Sequence, residues 1–386
     1  MRLNIPKTYE NMLKKLNSNG FEAYIVGGCV RDILLGSSPC DYDITTSATP
    51  EQIKAIFDHT ADTGIKHGTI TVIEDECVCE ITTFRTESDY SDMRRPDKVE
   101  FVTDLKLDLS RRDFTVNAIC YNPDTGIIDH FNSLTDLENK LLRTVGAPEE
   151  RFKEDALRIM RLFRFSATLG FEIEPNTYNA AIKLSPLLKN ISCERIASEL
   201  KKAILSDNIE KFSPLIHCGG LEFCGIKKSD IKQIACLRKS FELRFYSLLK
   251  LAAPDTDFTI SALKMSNTVK DYCSHMNYLE ASLDTTSPSE IKEILNHTDI
   301  SFIEDFVEYK RIIEDSDLSE SLAVAKSVID NSEPYKISHL DISGDDLLRL
   351  GYKGKEVGEI LEDLRKKVIE DKSLNTKYTL IKLIKI

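Results

Sequence analysis

A chain of 386 residues with 41% hydrophobic and 30% charged residues holds apolar material for well-formed cores and exceeds one compact domain. No stretch approaches the roughly 18 apolar residues of a membrane span, and "MRLNIPKTYENMLKKL" lacks the apolar block of a secretory signal, so a cytoplasmic protein with no membrane attachment is expected. The net charge of −12 argues against a uniformly basic nucleic-acid binder but allows a local basic surface, since residues 351–386 carry nine Lys or Arg against six Asp or Glu.

Up to about residue 145, short β-rich runs alternate with helices. The apolar run in "AYIVGG" is a strand, Gly27 and Gly28 form the turn after it, and "VRD" opens a helix. Glycines at such a junction let backbone N–H groups approach an anion, and Arg31 falls in the first helical turn, within reach of the same anion. A tight turn with a surface arginine is the plainer alternative.

The next extended run is "DYDITTS". Residues two apart on a strand share a side, so Asp41 and Asp43 are expected to project together, with Tyr42 on the opposite face. Two carboxylates so close repel unless a cation lies between them, and Mg²⁺ favours carboxylate oxygens together with phosphate. An isolated D-x-D is otherwise a turn or a solvated strand end. Further strands are read in "TITVIEDECVCEITTFR", "KVEFV" and "AICYN". Cys77 and Cys79 follow strand alternation, and none of the ten cysteines shows C-x-x-C spacing, so all are read as reduced thiols and not as a zinc site.

After "TVGAPEERFKED" the apolar residues recur at helical spacing almost to the end, which gives an α+β head followed by a helical remainder. On a helix, "EDALRIMRLFRF" makes Asp155 and Arg158 neighbours three apart on one face. Arg161 and Arg164 continue a drifting basic stripe, while Ala156, Ile159, Met160 and Phe163 cover the other side. A solvated face with Asp–Arg pairing is the alternative. Helix boundaries fall near "NISCERIASELKK" and "LSDNIEKF", and turns in "LAAPDTDF" and "DNSEPYKISHLDISGDD". There is no repeat of fixed period and no low-complexity tract.

G-G-x-V-R-D followed by D-x-D ten residues after the arginine resembles the signature of the nucleotidyltransferases, and more narrowly of the class II, bacterial-type tRNA nucleotidyltransferases and their kin, the bacterial poly(A) polymerases. "EITTFRTESDYSDMRRPDKVEF" is similar to the family's strand and loop, "LDLSRRDFTVNAI" to its R-R-D-F-T-x-N-A motif, and "ERFKEDALRIMRLFRF" to its E-D-x-x-R region. "SCERIASEL" resembles the helix that follows, and "ISGDDLLRLGYKGKEVGEILEDL" the bacterial tail; residues 205–335 carry no usable motif. Departures are Cys40 and Tyr42 around the first aspartate, and Lys355 where relatives often carry proline.

The resemblance implies a catalytic head over 1–145 with a small mixed sheet flanked by helices. An elongated all-helical part is expected after it: a neck over 146–204 that recognises the nucleobase, a body over 205–300 and a tRNA-binding tail over 301–386. It implies Asp41 and Asp43 as Mg²⁺ ligands and Glu80 as a third catalytic carboxylate, for which an exposed strand residue is the rival reading. Gly27, Gly28, Arg31 and Arg112 would hold the triphosphate. Asp113 and Asn117 would hold the ribose, with helix capping as the competing role for Asp113. Asp155 and Arg158 would read the base edge, with Arg161 and Arg164 orienting them or contacting phosphate.

The activity implied is addition of CCA to the tRNA 3′ end from CTP and ATP, with the acceptor and T arms bound by shape along 201–386. Rivals are a poly(A) polymerase, an enzyme adding only CC or only A, and an RNA-binding protein without catalysis. An intact loop "RTESDYSDMRRP" leans toward an enzyme able to add A.

Overall fold

The structure, a computed structural model, describes residues 2–75, 77–88 and 98–384. The greater part of the loop "RTESDYSDMRRP" lies outside the described residues.

Tyr9, Met12, Leu13 and Leu16 recur at helical spacing in α1 (Lys7–Ser18), and that stripe is its buried face. β1 (Ala23–Val26) is buried at every position, as a continuous apolar run must be in mid-sheet. α2 (Gly28–Leu34) follows after the single residue Gly27, then β2 (Asp43–Thr46) and α3 (Pro50–Ile56). α3 starts at a capping box in which Thr49 and Gln52 satisfy each other's backbone N–H. β3 (Thr60–Gly64), β4 (Thr69–Glu74) and β5 (Cys77–Thr83) come next, followed by a separate ribbon of β6 (Arg85–Ser88) and β7 (Lys98–Phe101). α4 (Leu105–Ser110), β8 (Ile119–Asn122) and β9 (Gly126–Asp129) complete the β-rich part.

The main sheet has the order β3-β4-β5-β2-β1-β8-β9. β2 and β5 run parallel and the other neighbours antiparallel, so the sheet is mixed, as the resemblance implies. The parallel register sets Asp43 beside Glu80. Strands reading "AYIV" and "ICYN" occupy the buried middle, where Ile25, Val26, Ile119 and Cys120 are almost fully enclosed.

Beyond β9 come α5 (Ser133–Glu138), β10 (Leu141–Leu142), α6 (Pro148–Glu154), α7 (Leu157–Leu169), β11 (Glu172–Ile173), α8 (Pro175–Leu184) and α9 (Cys193–Ile204). α7 is buried from Leu157 to Ala167 at every position but Arg161, and α9 packs along it. Its arginines therefore do not form a solvated face.

Contacts divide the chain into two compact units, residues 1–235 with 251–264, and residues 236–250 with 265–386. The second is helical and includes a core of Leu340, Ile342, Leu347, Leu361, Leu364, Val368 and Leu380. Among the described residues no helix is long and apolar enough to cross a membrane.

Candidate active site

The two aspartates do not share a strand. β2 begins at Asp43, and Asp41 and Tyr42 precede it in irregular backbone. The reason lies at Tyr42: its ring stacks on Tyr9 of α1 with centroids 4.3 Å apart, and its carbonyl accepts from Cys79 Sγ at 3.3 Å. Sheet pairing with β5 starts one residue later. Asp41, Asp43 and Glu80 are all exposed. Burial of its inner side pushes the Asp43 carboxyl up to about 6; Arg112 opposes the rise, and the charges of Asp41 and Glu80 add to it.

Among the described residues no three His, Cys, Asp or Glu form a ready-made metal centre. The donor set nevertheless fits a hard divalent cation. The groups on offer are carboxylate oxygens open to solvent, and such a cation would neutralise the charges of Asp41 and Glu80 that add to the effect of burial on Asp43.

Gly27 turns the chain from β1 into α2 at φ +82° and ψ −132°, where a side chain is strained, and a Cβ there would stand 3.0 Å from Arg112 Nη1. Gly28 opens the helix. Arg112 lies beside the fully buried Asp108, with Nη2 3.7 Å from its carboxylate, while its buried Nε has no hydrogen-bond partner. A phosphate oxygen is the kind of acceptor that would satisfy it. Asp108 also accepts from Arg111 Nη2 at 2.8 Å and from Thr45 Oγ1 at 3.0 Å, which ties this arginine-rich turn to β2.

Four residues picked from sequence form one continuous chain of bonds. Arg31 Nη1 donates to Asn117 Oδ1 at 2.6 Å, Asn117 Nδ2 to Asp113 Oδ1 at 3.1 Å, and Arg161 Nη2 approaches Asp113 Oδ2 at 2.7 Å. Burial would raise Asp113, but Arg161, with the bonds from Asn117 and Arg161, holds it down at about 2. The helix-capping role is not realised, because the short 3₁₀ turn Thr115–Asn117 is flanked by Phe114.

The reading of Asp155 and Arg158 as neighbours on one helix needs correction. Asp155 ends α6 with extended backbone, φ −137° and ψ 104°, and α7 starts anew at Leu157. Its Oδ1 accepts from Leu157 N at 3.0 Å, and its Oδ2 accepts from Arg195 Nη2 at 2.8 Å. Arg158 pairs instead with Glu154 at 2.6 Å and donates to the carbonyls of Arg151 and Arg111. Arg161 pairs with Asp113, and Arg164 with Glu199 at 2.8 Å.

Sequence reasoning missed Asp108, Arg195 and Glu199. The last two were visible four apart in "CERIASEL", a spacing that suggests a local pair. The structure sends them to different partners, Asp155 and Arg164.

Residues 23–143 match the family model described as "Poly A polymerase head domain", and residues 170–223 the one described as "Probable RNA and SrmB- binding site of polymerase A". The chain is 38% identical to a CCA-adding enzyme of Ligilactobacillus salivarius (strain UCC118), over 98% of this chain and 96% of that protein. It is 53% identical to a CCA-adding enzyme of Streptococcus suis (strain 05ZYH33) over 207 residues, a match spanning about half of each, 53% of this chain and 51% of the relative. The crystal structure of the Bacillus stearothermophilus CCA-adding enzyme in complex with CTP has the same fold, with a TM-score of 0.81 at 30% identity over 98% of this chain and 96% of that one.

Proposed function

The chain belongs to the CCA-adding enzymes, and from that premise we propose that it builds and repairs the 3′-terminal CCA of tRNA from CTP and ATP without a nucleic-acid template. The observation that carries the reading is the parallel register of β2 and β5, which puts Asp43 beside Glu80, with the charge of Arg112 acting on Asp43.

The reaction is in-line attack of the tRNA 3′-hydroxyl on the α-phosphate of the nucleotide, with pyrophosphate leaving. Asp41 and Asp43, with Glu80 alongside, would hold Mg²⁺, which when bound makes the hydroxyl more acidic and neutralises charge on the departing phosphates. Arg112 and Arg31, with the backbone at Gly27 and Gly28, hold the triphosphate; the unpartnered Nε of Arg112 supports this role. Asp113, kept ionised by Arg161, accepts from a ribose hydroxyl, and Asn117 serves the same sugar.

Asp155 and Arg158 supply the choice of base. Cytosine and adenine each present an exocyclic amino donor beside a ring-nitrogen acceptor, whereas uracil and guanine present a carbonyl beside an N–H. A carboxylate acceptor next to a guanidinium donor matches the first pair and leaves the second with unpaired polar groups. Asp155 retains capacity for this while bonded to Arg195, since a carboxylate accepts about four hydrogen bonds. The helices of 205–386 hold the acceptor and T arms by shape and backbone charge, and the setting is cytoplasmic.

The test supplies CTP, ATP or both to the full-length protein with tRNA transcripts lacking A, CA or CCA. Extension that stops at CCA is expected. An unbounded A ladder would identify a poly(A) polymerase, addition of only CC or only A a partial enzyme, and binding without extension an inactive RNA-binding protein.

A further inference from the structure

Three arginines from two distant stretches of sequence converge on one ring. The guanidinium carbons of Arg164, Arg31 and Arg161 lie 3.5, 5.2 and 5.4 Å from the centroid of Phe165. The ring is 6% exposed and meets Phe114 edge-on, with centroids 5.8 Å apart and planes at 83°. Phe165 has no part in any of the chemistry described above.

Each guanidinium is tied on another side to its own carboxylate: Arg31 to Asp32, Arg161 to Asp113 and Arg164 to Glu199. Those pairs balance charge, and the chain through Asn117 and Asp113 links Arg31 to Arg161, yet like charges drawn together repel. An aromatic face carries negative charge density and attracts cations placed over it. A leucine would fill similar space without that attraction. The ring also closes a circuit. From Phe165 the path runs to Arg31, through Asn117 and Asp113 to Arg161, and back to Phe165.

We infer that Phe165 is a positioning residue for the incoming nucleotide. Its ring fixes Arg31, beside the triphosphate, against Arg161 and Arg164 of α7, so the phosphate-facing side of the pocket and the ribose-facing side at Asp113 keep one geometry. The inference rests on reading residues 27–164 as the nucleotide pocket.

The test replaces Phe165 in the full-length protein with 4-fluoro-, 3,5-difluoro- and 3,4,5-trifluorophenylalanine, which drain the ring face with little change in shape. CTP affinity is measured by calorimetry, KM and kcat for CTP and ATP with saturating tRNA, and Tm and tRNA affinity as controls. CTP Kd and KM are expected to rise stepwise with fluorine number, by about threefold to tenfold across the series, while Tm and tRNA affinity stay level. Phe165→Leu should match or exceed the last member.

A flat series, even with a damaging Phe165→Leu, would overturn the inference and make the ring a core filler. So would a Tm that falls in step with CTP affinity. Wild-type protein that binds CTP but extends no tRNA would strike the catalytic reading and leave the affinity series to decide this one. Wild-type protein that binds no CTP would overturn both.

Discussion

At position 27 the backbone itself restricts the residue. A side chain at φ +82° and ψ −132° is strained, and its Cβ would press on Arg112 Nη1 at 3.0 Å. Gly27→Ala is expected to cost about 1–3 kcal/mol in stability, read as a lower Tm, and to raise KM for both nucleotides by displacing Arg112. Asp113 gives a pH dependence of known sign. Its folded carboxyl sits at about 2, below the ordinary value, because Arg161 and its hydrogen bonds outweigh burial. The stabilisation is therefore fully present above about pH 4 and is lost as the pH falls through about 2. Acid unfolding followed by circular dichroism should show that slope in the wild type. Asp113→Asn should flatten it while lowering stability at pH 7.

At the scale of elements, the break between α6 and α7 sets the geometry of Asp155. The sequence reads "EDALRIMRLFRF" as one helix, because periodicity continues and neither Gly nor Pro interrupts it. The interruption is a tertiary effect: Asp155 takes Arg195, forty residues on, as its partner. Arg195→Met is expected to relax nucleotide choice, with UTP incorporated about tenfold or more readily relative to CTP, and with tRNA affinity unchanged. Competition assays with all four nucleotides would measure it. The strands of the main sheet were legible for the converse reason, since runs such as "AYIV" and "AICYN" state their burial locally. The start of β2 was not, because the stacking of Tyr42 on Tyr9 is a contact between separate elements.

At the scale of the molecule, the second unit is held partly by buried charge. Arg365 is 2% exposed and donates to Glu293 at 2.8 Å as well as to Glu362, and Lys292, also buried, pairs with Glu333 at 2.8 Å. Such partners are invisible to sequence periodicity, since Arg365 and Glu293 stand 72 residues apart. Arg365→Met is expected to destabilise this unit by about 1–3 kcal/mol, less than for a fully enclosed pair because Glu293 and Glu362 are partly exposed. Calorimetry should show the loss in the second unit's transition, with KM for CTP unchanged and tRNA bound more weakly.

Pyrophosphate release from CTP and ATP on a tRNA transcript lacking CCA, with magnesium, compared between wild type and the Asp41→Asn, Asp43→Asn double variant, addresses the catalytic assignment most directly. The wild type should release three pyrophosphates per tRNA and stop, while the variant should keep its fold and tRNA affinity but turn over at least about a thousandfold more slowly. Undiminished turnover by the variant, or no pyrophosphate from the folded wild type, would contradict it.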